Sequence, residues 1–148
     1  MRILLAVDGS RYSADVVDAV LSRTETGLVR VLSAVAPEQA LVTDSSRPDL
    51  SGAASTPMKA TEELVKWVAD SLASHGFDAG TVVKPGDPRE VIVTEAENWQ
   101  ADLIVMGAYG HSGVRSRQIG SVAESVAKHA RCSVELVRKQ RTASRHDA

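Results

Sequence analysis

Short apolar runs separated by helical patterns constrain this chain more than any other feature. Met1–Val7 (MRILLAV), Leu28–Val35 (LVRVLSAV), Ala79–Lys84 (AGTVVK), Asp102–Met106 (DLIVM) and Ser133–Val137 (SVELV) are each of strand length. In the clearest of them the apolar residues run on instead of alternating, as a strand buried on both faces requires. Between them lie helical stripes: Ala14, Val17 and Leu21; Ala60, Leu64, Trp67 or Val68, and Leu72; Val122, Val126 and Ala130. Strand–helix alternation of this kind specifies a parallel sheet with helices on both faces.

The punctuation agrees with that reading. Asp8-Gly9-Ser10 breaks the first strand, and Ser10 is suited to cap the helix that follows. Gly27 ends that helical segment and Gly76 stops the second one. Thr56-Pro57 is a cap followed by a first-turn proline, and Asp87-Pro88-Arg89-Glu90 repeats the device with an acidic residue in the first turn. Between Ala36 and Thr56 the chain is polar and turn-rich, unusually long for a connection without structure, and its position after the second strand makes it a candidate lid. Residues 1–138 form one domain in this reading, with 139–148 a polar, disordered tail.

Composition then excludes several function classes. Seventeen Lys+Arg against nineteen Asp+Glu, a net charge of -2, argue against a protein held to nucleic acid by phosphate contacts. Aromatic residues make up 3%, too few for a base-stacking platform. The lone Cys132 has no intrachain partner and reads as a small core residue. Ile3–Val7, cut off by Asp8, is too short for a signal-peptide core, and no stretch approaches the ~20 apolar residues of a membrane span. A cytoplasmic protein that contacts neither nucleic acid nor membrane is expected.

In open α/β sheets ligands bind beyond the carboxyl ends of the strands. Four segments fall there: Asp8–Ser10, Ala34–Ala36, Lys84–Asp87 and Gly107–Ser121. The last carries chemistry. Gly107, Gly110 and Gly113 let backbone approach a ligand closely, and Gly120-Ser121 opens a helix whose free N–H groups attract anions. Arg115 and Arg117 add cations beside it. Such a loop suits a di- or triphosphate. The same residues also read as a plain loop ending in a capping box, because Ser121-Val122-Ala123-Glu124 fits that pattern with no ligand.

Catalytic motifs fail on spacing. Gly110-His111-Ser112-Gly113 lacks the second glycine of a nucleophile elbow, since Val114 stands there. No Gly-Lys-Ser/Thr follows a glycine loop, and the first strand–helix turn is not G-x-G-x-x-G. Asp8 has no acidic neighbour with which to hold magnesium as a phosphoacceptor would. His111 reads as a phosphate helper or as an exposed loop residue, and His75 and His129 suit helix ends.

The opening ILLAVDGS, the GDPREVI turn, ADLIVMGAYG and the closing GSVAESVAKHARCSVELV together resemble the universal stress proteins over Met1 to Arg138. The nucleotide motif of that family, Gly-x2-Gly-x9-Gly-Ser/Thr, is matched by Gly107, Gly110, Gly120 and Ser121. The resemblance implies a Rossmann-like, adenine nucleotide alpha hydrolase-like α/β domain with an open five-stranded parallel sheet of order 3-2-1-4-5. It implies ATP, with Mg2+, as cofactor and a stress-response protein that binds its nucleotide and turns it over slowly if at all. AMP or a cyclic nucleotide in the same pocket, and a dimeric adaptor binding no nucleotide, are the alternatives.

Position by position, the resemblance implies that Ala6 and Val7 flank the base, that Val35 offers backbone to adenine, and that Met106 and Gly107 continue that wall. Asp8 would lie near the nucleoside or a metal-bound water. Gly110, His111, Ser112 and Gly113 would cradle phosphates with Gly120, Ser121 and Val122, beside Arg115 and Arg117, and Tyr109 is the one ring nearby. A homodimer through the last strand (Val134, Leu136) is also implied. Cys132-Ser133-Val134 departs from the Cys-Pro-Val common in the family, and Glu135 replaces an aliphatic residue; alternation along the strand turns Glu135 toward solvent.

Overall fold

The structure is a computed structural model that describes residues 1–9, 13–23, 25–36, 57–109 and 119–138. Strand β1 (Arg2–Ala6) leads into helix α1 (Ser13–Leu21), β2 (Leu28–Val35), α2 (Pro57–Ala73), β3 (Asp78–Pro85), α3 (Pro88–Trp99), β4 (Leu103–Gly107), α4 (Ser121–His129) and β5 (Ser133–Val137). All pairings are parallel, and the sheet order is β3-β2-β1-β4-β5. The direction of winding therefore reverses at β1, between β2 and β4, where a crevice opens beyond the strand ends.

Both sheet faces are buried because successive side chains point to opposite sides. In β1, Ile3 and Leu5 join Val16, Val17 and Val20 of α1 and Val65, Val68 and Leu72 of α2, while Leu4 faces the other way. There it meets Leu32, Ile104 and Met106 under Ile92 and Ala96 of α3 and Ala123 and Val126 of α4. Tertiary packing shifted two of the expected stripes. Ala14 and Ala60 are exposed, Val16, Val20 and Val65 are buried in their place, and Val68 is buried whereas Trp67 is 57% exposed.

Asp87 caps α3 as expected, accepting a hydrogen bond from the Arg89 N–H at 2.9 Å with Pro88 in the first turn. The Arg89 guanidinium closes on the same carboxylate, and this hydrogen-bonded partner holds the Asp87 carboxyl below its ordinary range. His75 and His129 are exposed at the ends of α2 and α4, each with Nδ1 2.8 Å from the carbonyl four residues earlier. Cys132 is half-buried against the α3/α4 core, and burial pushes its thiol up, which makes it a weak nucleophile.

Glu135 lies on the face opposite Val134 and Leu136, as alternation along β5 requires, and gains a partner there. It is only partly exposed on the α1 side of the sheet and pairs with Arg23, Nη1 to Oε1 3.2 Å. A second carboxylate is far more buried. Glu95 of α3 is 3% exposed and is bracketed by Arg30 of β2 and Lys84 of β3, the latter with Nζ 2.8 Å from Oε1. The Arg30 guanidinium also lies 4.8 Å from the centre of the Trp99 ring. This cluster ties β2 and β3 to α3. Residues 139–148 and the 37–56 segment lie outside the described residues, as does the expected cap Ser10.

Candidate functional site

The carboxyl ends of β1, β2 and β4 are each fixed by bonds that continue past the regular ladder. Val7 N–H donates to the Leu32 carbonyl at 2.9 Å, and the buried Ser33 hydroxyl donates to the Val7 carbonyl at 2.7 Å. Gly9, at φ 77°, then turns the chain off the sheet, a conformation that favours glycine. At β2, the Val35 carbonyl accepts from Gly86 N–H at 2.8 Å, leaving one lone pair for any ligand. Gly86, at φ 138°, makes the turn from β3 into α3; a Cβ there would meet Val91 at 2.9 Å.

Beyond β4, Ala108 N–H donates to the Val137 carbonyl and Gly120 N–H donates to the Ala108 carbonyl, both at 2.8 Å. The second bond clamps the two ends of the glycine-bearing loop together at the mouth of the crevice. Gly107 sits where a Cβ would lie 3.0 Å from the Tyr109 carbonyl oxygen, so a side chain there would press on the backbone of the bend.

Helix α4 does not use Ser121 as its cap. The N-cap is Gly120, in extended conformation, with no side-chain cap hydrogen bond, and its carbonyl accepts from Glu124 N–H at 2.9 Å. Ser121 is the first helical residue, is exposed and lines the opening, so it is not the N-cap that a capping box requires. Helix geometry leaves the N–H groups of Ser121, Val122 and Ala123 with no carbonyl in their own helix.

These elements enclose a cavity of about 480 Å3, within the range of roughly 300–1,000 Å3 typical of small-molecule sites. Its walls include Ala6, Val7, Asp8, Val35, Met106, Gly107, Tyr109, Gly120, Ser121 and Val122. Ten of the sixteen sequence-derived site residues are thus brought to one cavity. Gly110, His111, Ser112, Gly113, Arg115 and Arg117 lie outside the described residues. The sequence reading did not place Ser13, Val16, Leu32, Ser33, Thr61, Pro88, Ile92 and Ala123 at the site, and they also line it. They come from the sheet and from the N-terminal halves of the helices packed on it.

The cavity is apolar at its β2 end, where Leu32 and Val35 are buried, and polar at its α4 end. Asp8 is the sole carboxylate among its described lining residues. Among the described residues no group of three or more His, Cys, Asp or Glu is placed to hold a metal ion, and no helix is long and apolar enough to cross a membrane. Such a site can take a flat, weakly polar ring at one end and an anion at the other.

Comparison with known proteins agrees with this architecture. The sequence model of the universal stress protein family matches residues 1–138. Universal stress protein YxiE of Bacillus subtilis is 28% identical over 148 residues, covering 93% of this chain and 98% of that protein. Universal stress protein UspA from Lactobacillus plantarum superposes with a TM-score of 0.70 at 24% identity, over 93% of this chain and 97% of that one. An Arabidopsis thaliana family member with AMP bound gives a TM-score of 0.65 at 18% identity over 95% and 92% of the two chains. The Archaeoglobus fulgidus protein in complex with dAMP gives 0.63 at 21% identity over 93% and 97%. A universal stress protein in complex with cAMP also gives 0.63 at 21% identity, over 93% and 95%.

Proposed function

The chain belongs to the universal stress protein family, and on that premise we propose that it is a stress-response regulator that binds an adenine nucleotide in the cavity between β1, β2 and β4. ATP is the expected ligand, and AMP or a cyclic nucleotide enters the same pocket. The carrying observation is the cavity itself, apolar beside Val35 and Leu32 and capped at its other end by the N-terminus of α4, with Ser121 free of a capping role. A purine needs the first, and phosphate oxygens seek the second.

Solved family members with AMP, dAMP and cAMP bound support adenine as the base. In this reading Ala6, Val7, Val35 and Met106 hold the base, and Gly107, Gly120, Ser121 and Val122 hold phosphate with the Gly110–Gly113 loop, Arg115 and Arg117. Mg2+ arrives on the phosphates, with Asp8 reaching it through water; a single carboxylate does not make a metal site alone. The protein acts by binding, in the cytoplasm, as a homodimer whose edge strand β5 contributes Val134 and Leu136.

Thermal unfolding tests this reading. At 100 times the dissociation constant a ligand stabilises the native state by ~2.7 kcal/mol, which corresponds to a rise of roughly 5–10 °C for a chain of this size. Millimolar ATP or AMP is expected to give that rise and UTP much less. No shift with any adenine nucleotide would overturn the proposal in favour of an adaptor that binds none.

A further inference from the structure

Ser13, the first residue of α1, is 7% exposed and lines the cavity, and its hydroxyl oxygen is buried without a hydrogen-bond partner. Buried hydroxyls are almost always paired, because an unpaired one loses its water and gains nothing in exchange. The other buried oxygen without a hydrogen bond among the described residues, Oε1 of Glu95, has the Lys84 ammonium 2.8 Å away. Ser13 has no such substitute. Folding alone does not account for a serine here, since alanine would fill the position without stranding a polar atom.

The position of Ser13 in the cavity says what would pair it. Val16, one turn further along the same face of α1, also lines the cavity and lies 3.6 Å from where a Cβ on Gly107 would be. Ser13 therefore sits at the seam between the ends of β1 and β4. The apolar end of the cavity at β2 lies to one side of that seam, and the N-terminus of α4 lies to the other. A nucleotide spanning both ends carries its sugar across the seam, between Ser13 and the Asp8 carboxylate. A ribose hydroxyl donates and accepts at once, which suits a carboxylate oxygen that accepts and a serine hydroxyl with a proton to give.

Building on the nucleotide reading above, we propose that Ser13 donates a hydrogen bond to one of the two ribose hydroxyls and thereby selects ribonucleotides over the corresponding deoxynucleotide. A deoxy analogue leaves the Ser13 hydroxyl stranded, and sites built around a substrate hydroxyl discriminate strongly against its absence.

Calorimetric titration of the full chain and of Ser13→Ala with AMP, 2′-deoxy-AMP and 3′-deoxy-AMP tests this. The wild-type protein is expected to prefer AMP about tenfold over one of the two analogues. Ser13→Ala is expected to bind AMP about three- to tenfold more weakly, one hydrogen bond's worth, and to lose that preference while keeping its ratio for the other analogue. Its ligand-free Tm is expected to equal or exceed that of the wild type, because a stranded polar atom is removed. Unchanged sugar ratios in Ser13→Ala, or a ligand-free Tm lowered by several degrees, would overturn the assignment. A wild-type protein that binds none of the three nucleotides would sink the nucleotide reading itself, and the sugar assignment with it.

Discussion

Placing a glutamate at Ser121 is expected to weaken AMP binding by about 100-fold or more while leaving adenosine binding within about threefold of the wild type. Ser121 is the first residue of α4 and faces the cavity. A carboxylate there meets the phosphate at close range: at ~5 Å and an effective dielectric near 20, each pair of like charges costs roughly 3 kcal/mol. The same substitution suits the helix, since a negative charge in the first turn contributes about 0.3–1 kcal/mol. Loss of affinity is thus expected in a protein that is no less stable, which separates an electrostatic effect from unfolding. Equal weakening of AMP and adenosine would mean that the new side chain merely blocks the entrance. Unchanged AMP affinity would remove the phosphate from α4 altogether.

The second large effect is on stability and lies away from the cavity. Burial works to raise the carboxyl of Glu95, but the Lys84 ammonium and the Arg30 guanidinium beside it outweigh that and hold the group below its ordinary value. A carboxyl depressed on folding contributes stability that is fully present above the unfolded value of about 4.3 and is lost as pH falls through the folded one. Glu95→Gln is therefore expected to cost about 2–3 kcal/mol in urea unfolding at pH 7, the range for hydrogen bonds to a charged group. The gap between the two proteins is expected to narrow progressively below about pH 4. Glu95 does not line the cavity, so nucleotide affinity should not follow. A gap that stayed constant from pH 7 to pH 3 would show that the carboxylate charge is not what the cluster uses.

The strand and helix starts were legible where the signal was local. β2 and β5 have the limits their apolar runs define, and Asp87-Pro88 starts α3 as its chemistry requires. The sheet order followed from family resemblance and is the order found. What the sequence hid was long-range. Arg30, Lys84 and Glu95 lie on three elements, and only the β2–β3 register, with Ala34 opposite Lys84, brings the cations to one carboxylate. Alternation set Glu135 on the face opposite Val134 and Leu136, but its partner Arg23, which reaches it from beyond α1, was hidden for the same reason.

One local pattern also misled. Ser121 to Glu124 spells a capping box, yet Gly120 takes the cap, its N–H tied to Ala108 and its carbonyl accepting from Glu124 N–H. Ser13, the first residue of α1 as described, lines the cavity and carries no local signal in the sequence that would have marked it. The site was therefore legible in its glycines and strand ends. Its side walls, contributed by Thr61 of α2 and by Pro88 and Ile92 of α3, become apparent only once the helices are docked.

Amide chemical-shift mapping of the uniformly labelled protein during titration with AMP tests the central claim most directly, because it reports both whether the nucleotide binds and where. Saturable shifts are expected at Gly120, Ser121 and Val122, with a second group at Val35 and Ala36, the two ends of the cavity. Shifts confined to the smaller hollow lined by Gln100, Arg131 and Cys132, or no saturable shifts at all, would contradict it.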